Sequence, residues 1–359
     1  MSASLVGSEM CIRDRFMIRL GLKILREQME SVCKLIIIVK RRMMGHLVKV
    51  RYFSFTYMVW SMVWEIALHI KRLNRMAIWA ENAKERYIEK YIYRNYATII
   101  DRYKNGYFED LEAVTNYPIW VYWHQGLDFT PPLVLSSVNQ LKGQNTNLIF
   151  LDKESLSRYI TLPVWVEEKR ERNMIGLAHY ADIVRVSLLA AYGGIWIDAT
   201  SWCNEPIPER IKSISFYTRK GGYNANMPLF AKGRWTSWCL GTNKIGYPLF
   251  CFIRDMFYEY AKREECWIDY LLLDKLISIG LKEIPKVQND YNDLFIDNEN
   301  SFGLWPKMGL PFDEKVMESL SNNTWLFKGS YKKTFPETSL GKPTFFAMWL
   351  SGKLNSFRN

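Results

Sequence analysis

Residues Asn173 to Cys203, NMIGLAHYADIVRVSLLAAYGGIWIDATSWC, decide the fold of this chain. From Ala178 to Tyr192 the residues favour helix and are apolar on nearly every face, so we expect a buried helix. Gly193 and Gly194 then end that helix. The following Ile-Trp-Ile is short and β-prone, and predicts a buried strand that Asp198 follows. Because ligands bind outside the carboxyl ends of strands in open α/β sheets, we expect a ligand near this carboxylate.

Two charged side chains interrupt the apolar surface of the predicted helix. Asp182 and Arg185 are three residues apart and therefore share one helix face. A carboxylate suits sugar hydroxyls, and the guanidinium fork suits a hydroxyl pair or a phosphate oxygen. The alternative is a buried structural ion pair. Such a pair is usually no more stabilising than an apolar one, so its presence in this helix favours a functional role.

The residues before this stretch predict the start of a parallel sheet. Residues 119–123 are β-prone, Pro131-Pro132 opens a helix that runs to Leu141, and residues 147–151 form a second strand. A strand, a helix and a strand in this order form a βαβ unit, in which the strands are parallel. The fold class is therefore α/β.

The residues after this unit predict further helices and strands. We expect helices at 156–172, 250–263 and 267–279, and strands at 214–217 and 235–240. Between them, Arg219, Lys220 and two following glycines form a loop whose cations and amides suit phosphates. A solvated turn is the simpler interpretation of that loop.

The run LAHYADIVRVSLLAAYGGIWIDAT, residues 177–200, resembles the capsular polysaccharide synthesis proteins. These belong with GT-A glycosyltransferases whose signature is an Asp-x-x-Arg helix, Gly-Gly, a short strand and Asp-x-Asp. The family 32 mannosyl- and galactosyltransferases and the clostridial glucosylating toxins share this layout. The chain departs from the signature at its second acidic position, which is Thr200. The resemblance covers residues 117–333.

This resemblance implies a fold and an activity. The fold would be a GT-A-like, nucleotide-sugar-binding mixed sheet flanked by helices, with an N-terminal helical arm. The activity would be that of a bacterial glycosyltransferase, which moves a hexose from a nucleoside-diphosphate sugar to a capsular or surface polysaccharide. The acceptor would be a glycan or a lipid-linked glycan, and the anomeric configuration would be retained.

The resemblance also assigns roles to individual residues. Asp182 and Arg185 would bind the donor sugar and Asp198 would hold ribose or sugar hydroxyls, so these three are the predicted catalytic residues. Trp123 would stack on the nucleotide base, although a core aromatic is the alternative. The other predicted substrate-binding residues are Gln125, Gly126, His179, Gly194, Thr200 and Lys328, the last on a loop over the donor diphosphate.

A Mn²⁺ or Mg²⁺ ion held by Asp198 is the implied cofactor. Such ions require several oxygen ligands, and Thr200 is a weaker, neutral ligand than the usual second carboxylate. Either the diphosphate and waters complete the metal shell, or lysine and arginine replace the cation; we expect the metal.

Three other polar residues admit more than one role. His179 would suit the base of an inverting reaction, but a hydrogen-bonded core histidine is the favoured interpretation. Asp269 and Asp274 lie in the last predicted helix, where the resemblance leaves a role near the acceptor open. Five residues apart, they do not share a helix face and are not predicted to be an acid–base pair.

Most of the net charge of +11 lies near the start of the chain. Residues 16–75 contain 12 lysines and arginines against 3 acidic residues, a net charge of +9. The uncharged run 52–64 is shorter than the roughly 20 residues of a membrane-spanning helix. We expect a helical subdomain packed on the catalytic body; the alternative is an amphipathic segment at a membrane surface. Because no reader motif accompanies the charge, no nucleic acid partner is predicted.

The predicted organisation has four parts. Residues 1–15 match nothing that follows and are expected to be a translated adaptor or cloning artefact. Residues 16–115 would be the basic helical region, 116–335 the GT-A domain and 336–359 a C-terminal tail. Six cysteines without metal-site spacing predict reduced thiols and no zinc site. We therefore expect a cytoplasmic protein. In the alternative that the basic region lies on a membrane surface, the protein would be peripheral at the inner face of the cell membrane.

Two rival interpretations belong to other classes of protein. The missing second aspartate suits a non-catalytic sugar-nucleotide-binding partner of a polysaccharide assembly system. The charge of residues 16–75 suits a basic membrane-interaction protein in which that arm is the active part.

Overall fold

The computed structural model describes residues 45–355, apart from 46, 48, 69, 107, 109, 110 and 228. The predicted adaptor segment and residues 16–44 of the basic arm lie outside the described residues. The chain divides into two compact units, with the division between Lys84 and Glu85.

The first unit contains a short apolar helix. Helix α1 spans Phe55–Leu68 and buries Tyr57, Met58 and Ala67, and a 3₁₀ turn follows at Lys71–Leu73. Over the described part of the chain, no helix combines the length and the apolar character that crossing a membrane requires.

The second unit contains most of the helices and all the strands that the structure describes. Helix α2, Asn74–Lys104, crosses the division between the units. The remaining α-helices are α3 (Pro132–Gln144), α4 (Val164–Glu171), α5 (Leu177–Tyr192), α6 (Glu209–Lys212), α7 (Pro248–Arg263), α8 (Leu272–Glu283), α9 (Pro285–Asn292), α10 (Glu314–Ser321) and α11 (Phe345–Leu350). The strands are β1 (Ile119–Tyr122), β2 (Leu148–Leu151), β3 (Gly194–Ile197), β4 (Ser201–Cys203), β5 (Tyr217–Thr218), β6 (Cys239–Thr242), β7 (Leu326–Lys328), β8 (Thr338–Ser339) and β9 (Lys342–Pro343).

Five strands form a mixed sheet in the order β2-β1-β3-β6-β5. β1 is parallel to β2 and to β3, as the predicted βαβ unit requires, whereas β6 is antiparallel to β3 and to β5. Every residue of β1 and β3 is buried, which explains why both read as continuous apolar runs. The predicted α/β fold with a mixed sheet flanked by helices is confirmed.

A second, two-stranded sheet follows directly after the carboxyl end of β3. β4 begins three residues after Asp198 and pairs antiparallel with β7, which places Ser201 opposite Lys328. Trp202 and Phe327, the next pair, are both fully buried. Lys328 is therefore held beside the end of β3 by a residue pairing that spans more than a hundred positions.

The link between α5 and β3 depends on glycine. Gly194 has φ +80°, and a Cβ there would collide with the carbonyl oxygen of Pro118. Glycine adopts positive φ without a steric penalty and allows backbones to approach closely. Gly194 therefore has a structural role that the predicted substrate-binding role did not include.

Several predicted boundaries are wrong. The expected helix at 156–172 is instead a 3₁₀ turn at Leu156–Arg158 and helix α4, because Pro163 lacks the N–H that a continuous helix requires. The expected helix at 267–279 begins at Leu272, so Asp269 precedes it. The strands expected at 214–217 and 235–240 are β5 and β6, shifted toward the C-terminus.

The segment after residue 335, predicted to be a tail, packs into the second unit. Phe345 and Trp349 of α11 are buried, with 1% and 0% of their surface exposed. They share a hydrophobic cluster with Trp202 and Phe327 of the two-stranded sheet.

Candidate active site

A cavity of about 500 Å³ opens at the carboxyl ends of β1 and β3. Its size is typical of sites for small ligands. The predicted site residues that line it are Trp123, Gln125, Asp182, Arg185, Asp198, Thr200 and Lys328. Predicted site residues between positions 123 and 200 therefore meet Lys328 at one sheet edge.

Arg185 joins the two predicted catalytic acids. Its Nη2 lies 3.0 Å from Oδ1 of Asp198, and its Nη1 lies 3.4 Å from Oδ1 of Asp182. Nη1 also donates to the backbone carbonyl of Ser237, and the guanidinium lies 4.9 Å from the ring centroid of Trp196. The three predicted catalytic residues, 182, 185 and 198, therefore lie together in the wall of the cavity.

Asp198 is the most strongly bonded acid in the cavity. Its Oδ1 accepts hydrogen bonds from Arg185 and from Nε1 of Trp196, at 3.0 and 2.9 Å. Its Oδ2 accepts a bond of 2.7 Å from Nζ of Lys328. Burial by itself raises the pKa of Asp198, but Lys328 and Arg185 outweigh burial and hold that pKa below its ordinary value. Asp198 is therefore ionised at neutral pH.

Asp182 and Asp274 differ from Asp198 in protonation. Burial raises the pKa of Asp182 to about 7, against the opposing effect of Arg185, and neighbouring Asp274 raises it further. Burial likewise raises the pKa of Asp274 to about 6. Asp274 accepts bonds of 3.0 Å from Nε1 of Trp235 and 3.4 Å from Oγ of Ser237. The cavity thus holds two acids that titrate near neutrality.

Asp274, for which the sequence left a role near the acceptor open, lies in the wall of the cavity. It is 7% exposed, whereas Asp269 does not line the cavity and accepts a hydrogen bond from the backbone N–H of Leu271 at 2.8 Å. The sequence signal for Asp274 is its acid group within the apolar run LLLDKLI.

Aromatic side chains form the rim of the cavity. Tyr331 packs edge-on against Trp123, with ring centroids 5.3 Å apart at an interplanar angle of 83°. Tyr270 also lines the cavity and is 63% exposed. The exposed Gln125 lies between this cavity and a neighbouring one of about 320 Å³, which Gly126 lines. Gly126 is therefore near the main cavity but not part of its wall.

His179 lies beside the cavity rather than in its wall. Its ring stacks on Trp267 with centroids 4.5 Å apart and planes 5° apart. Its Nε2 lies 3.3 Å from the backbone carbonyl oxygen of Asp269. These contacts agree with the packed histidine that sequence analysis favoured.

The two cations of the loop at 219–222 donate hydrogen bonds to backbone carbonyl oxygens. Lys220 donates to the carbonyl oxygens of Tyr291 and Leu294, at 2.9 Å each. Arg219 donates to those of Asn298 and Glu299. Neither cation lines the cavity, so this loop is not part of its wall. The hydrogen bonds to backbone carbonyls also differ from the solvated turn that was expected.

The donor set around Asp198 does not fit a divalent cation. Across the residues that the structure describes, no three His, Cys, Asp or Glu side chains are grouped to hold a metal. The Lys328 ammonium lies between Asp198 Oδ2 and Thr200 Oγ1, at 2.7 and 2.8 Å. A lysine thus already uses both oxygens that would face an ion there.

Two curated relatives match short parts of the chain. O-glycosyltransferase braB of Annulohypoxylon truncatum is 33% identical over 95 residues, 23% of each chain. O-glycosyltransferase PaGT of Phomopsis amygdali is 32% identical over 91 residues, 22% of each chain. The match spans less than a quarter of the length of these relatives.

A solved structure and a family model match more of the chain. The PaToxG glycosyltransferase covers 77% of this chain and 97% of its own at 13% identity, with a TM-score of 0.34. The model of the capsular polysaccharide synthesis proteins matches residues 70–348, which include the whole cavity wall. On this match, the chain belongs to the capsular polysaccharide synthesis protein family.

Proposed function

We propose that this protein is a glycosyltransferase that moves a hexose from a nucleoside-diphosphate sugar to a capsular or surface glycan. The observation that carries the proposal is the placement of Asp182 and Asp198 on either side of Arg185 in an open cavity. The family match and the names of the two O-glycosyltransferases support the same class of reaction.

The cavity supplies groups for both parts of the donor. Carboxylates accept hydrogen bonds from sugar hydroxyls, so Asp182 and Asp274 are the proposed ligands of the hexose. Arg185 forms an ion pair with Asp182 and lines the same cavity, so its guanidinium is proposed to bind the same hydroxyls. The side chain of Trp123, at the rim beside β1, is the proposed stacking partner of the base.

The transfer requires stabilisation of the negative charge that develops on the leaving diphosphate oxygen. The bond from the anomeric carbon to the diphosphate oxygen breaks, and its electron pair remains on the diphosphate. An acceptor hydroxyl oxygen forms the new bond to that carbon and releases its proton to solvent or to a carboxylate. Lys328, one of the cations that line the cavity, is the proposed group that stabilises the departing charge. The proposed stereochemical outcome is retention.

The acceptor is proposed to approach over the aromatic rim. Tyr270 and Tyr331 are exposed by 63% and 43% and flank the opening. Exposed aromatic rings with a polar tip suit the apolar faces and hydroxyls of a saccharide. A glycan or lipid-linked glycan at the inner membrane face is the proposed acceptor.

The test is donor turnover by the purified chain with a panel of nucleotide sugars. We expect hydrolysis or transfer with at least one donor, and a loss of about a hundredfold or more in Asp198→Asn, because a site charge is removed. Asp101→Asn, which alters an exposed acid of α2, is the matched control and should keep wild-type turnover. Turnover that Asp198→Asn leaves unchanged would refute the proposal.

A non-catalytic sugar-nucleotide binder is the second candidate, because Thr200 stands at the second acidic position of the signature. The same panel separates the two functions. A donor that raises the melting temperature but is never consumed, with or without acceptor glycans, would favour the binder.

A further inference from the structure

We propose that the Lys328 ammonium takes the place of a divalent metal ion at the donor diphosphate, so that donor binding requires no metal. This inference rests on the proposed function, since it assigns a role toward the same donor. It starts from the position of Nζ, which lies 2.7 Å from Asp198 Oδ2 and 2.8 Å from Thr200 Oγ1.

The backbone holds Lys328 in this position. Besides its pairing with Ser201, its N–H donates to the carbonyl of Ser301 at 2.7 Å, and Gly329 N–H donates to the carbonyl of Thr200 at 2.9 Å. The lysine side chain is only 18% exposed. The ammonium is therefore part of a preformed site rather than the end of a mobile surface chain.

Asp198 has little capacity left for a metal. A carboxylate offers about four acceptor positions. Arg185, Trp196 and Lys328 use three of them. A metal at the last position would lie next to two cations, and Mg²⁺ demands a near-ideal octahedral shell at about 2.0–2.1 Å.

The neutral hydroxyl of Thr200 suits a lysine better than a metal ion as its neighbour. A hydroxyl accepts the bond from Nζ without adding charge, whereas a carboxylate there would add a negative charge that suits a divalent ion. A neutral residue at 200 and a lysine at 328 are therefore two parts of one arrangement.

Lys328 still has a donor for the diphosphate. Within the part of the chain that the structure describes, the ammonium bonds to Asp198 and Thr200 use two of its three N–H groups. Lys328 lines the cavity, so the third N–H is available to a phosphate oxygen. A fixed cation of this kind stabilises the leaving diphosphate without the assembly of a metal shell.

The experiment is calorimetric titration of the full chain with UDP, GDP, ADP, CDP and dTDP, in EDTA and then in excess Mn²⁺. We expect at least one nucleoside diphosphate to bind, with affinities in the two conditions that agree within about twofold. Lys328→Met should weaken that binding by about tenfold or more, because a charge-assisted hydrogen bond is lost. Lys315→Met, an exposed lysine of α10, is the matched control and should bind as wild type.

A gain of metal dependence provides the second readout. The double variant Thr200→Asp, Lys328→Ala should bind Mn²⁺ in the presence of nucleotide, seen by electron paramagnetic resonance, whereas wild type should not. Wild-type nucleotide binding that EDTA abolishes would overturn the inference and leave the proposed function standing. No binding of any nucleotide by the folded chain in either condition would overturn both.

Discussion

Arg185 shares its guanidinium between Asp182 and Asp198, and the two acids respond in opposite ways. Asp198 has a second cation, Lys328, which keeps its pKa below the ordinary value in spite of burial. Burial raises the pKa of Asp182 to about 7, because Arg185 alone opposes it and the nearby Asp274 raises the pKa further. Single residues therefore set a cavity charge that becomes more negative as the pH rises through neutrality.

The raised pKa of Asp182 predicts a pH-dependent stability. Because it lies above the unfolded value of 3.8, this acid binds more protons in the folded state. Its contribution is full at low pH and is lost as the pH rises toward about 7. We expect the melting temperature of wild type to fall by several degrees relative to Asp182→Asn between about pH 5 and pH 8.

Calorimetric melting curves over that pH range provide the measurement. Asp101→Asn should follow wild type, since the side chain of Asp101 is exposed. Parallel curves for wild type and Asp182→Asn would contradict the raised pKa.

At the scale of elements, the unit from α5 to Asp198 was predictable because its signals are local. Helix propensity, the glycine pair and a β-prone tripeptide act within 22 residues, Leu177–Asp198, and the structure places their boundaries within a residue of the expected ones. Pro163 is also a local signal, but the interpretation of 156–172 as one helix overlooked it. Local patterns therefore predicted the edge of the site on which Asp182, Arg185 and Asp198 lie.

A substitution at Gly194 distinguishes a structural role of this glycine from the predicted substrate-binding role. We expect Gly194→Ala to lower the free energy of unfolding by about 2 kcal/mol or more, because alanine is strained at φ +80° and its Cβ meets Pro118. Urea unfolding measures the change.

The control for this variant is Gly143→Ala in α3. A Cβ at Gly143 meets nothing within 4 Å, so alanine there should stabilise the protein by about 0.5–1 kcal/mol. If Gly194→Ala unfolded like wild type and lost only nucleotide binding, the original prediction of a substrate-binding glycine would be correct instead.

At the scale of the whole molecule, the rest of the site depends on long-range packing. Lys328 reaches Asp198 through the pairing of β4 with β7, and Asp274 reaches the cavity through the start of α8. A single sequence carries no periodic signal for the proximity of Lys328 to Asp198 or of Asp274 to the other cavity acids, because these residues are far apart in the chain. The resemblance suggested Lys328 as a diphosphate ligand, but its bond to Asp198 emerged only from the fold.

Trp349 joins the end of the described chain to the two-stranded sheet that carries Lys328. It is fully buried, packs against Trp202 with ring centroids 5.6 Å apart, and donates to Oγ of Ser137 at 3.0 Å. We expect Trp349→Ala to cost about 3–5 kcal/mol in guanidinium unfolding. Leu340→Ala, at a side chain that is 90% exposed, should change stability by less than about 0.5 kcal/mol. Equal stabilities of the two variants would show that residues 336–355 behave as the predicted tail.

Side chains alternate between the two faces of the sheet along β7, so this strand does not tolerate an inserted or deleted residue. Phe327 and Lys328 point to opposite faces of the small sheet, one into the hydrophobic cluster and one toward Asp198. A single-codon insertion within this strand would exchange the two, burying an ammonium in the apolar interior and presenting a phenyl ring to the carboxylate. Insertions and deletions in homologous genes should therefore fall in the flanking loops and spare this tripeptide.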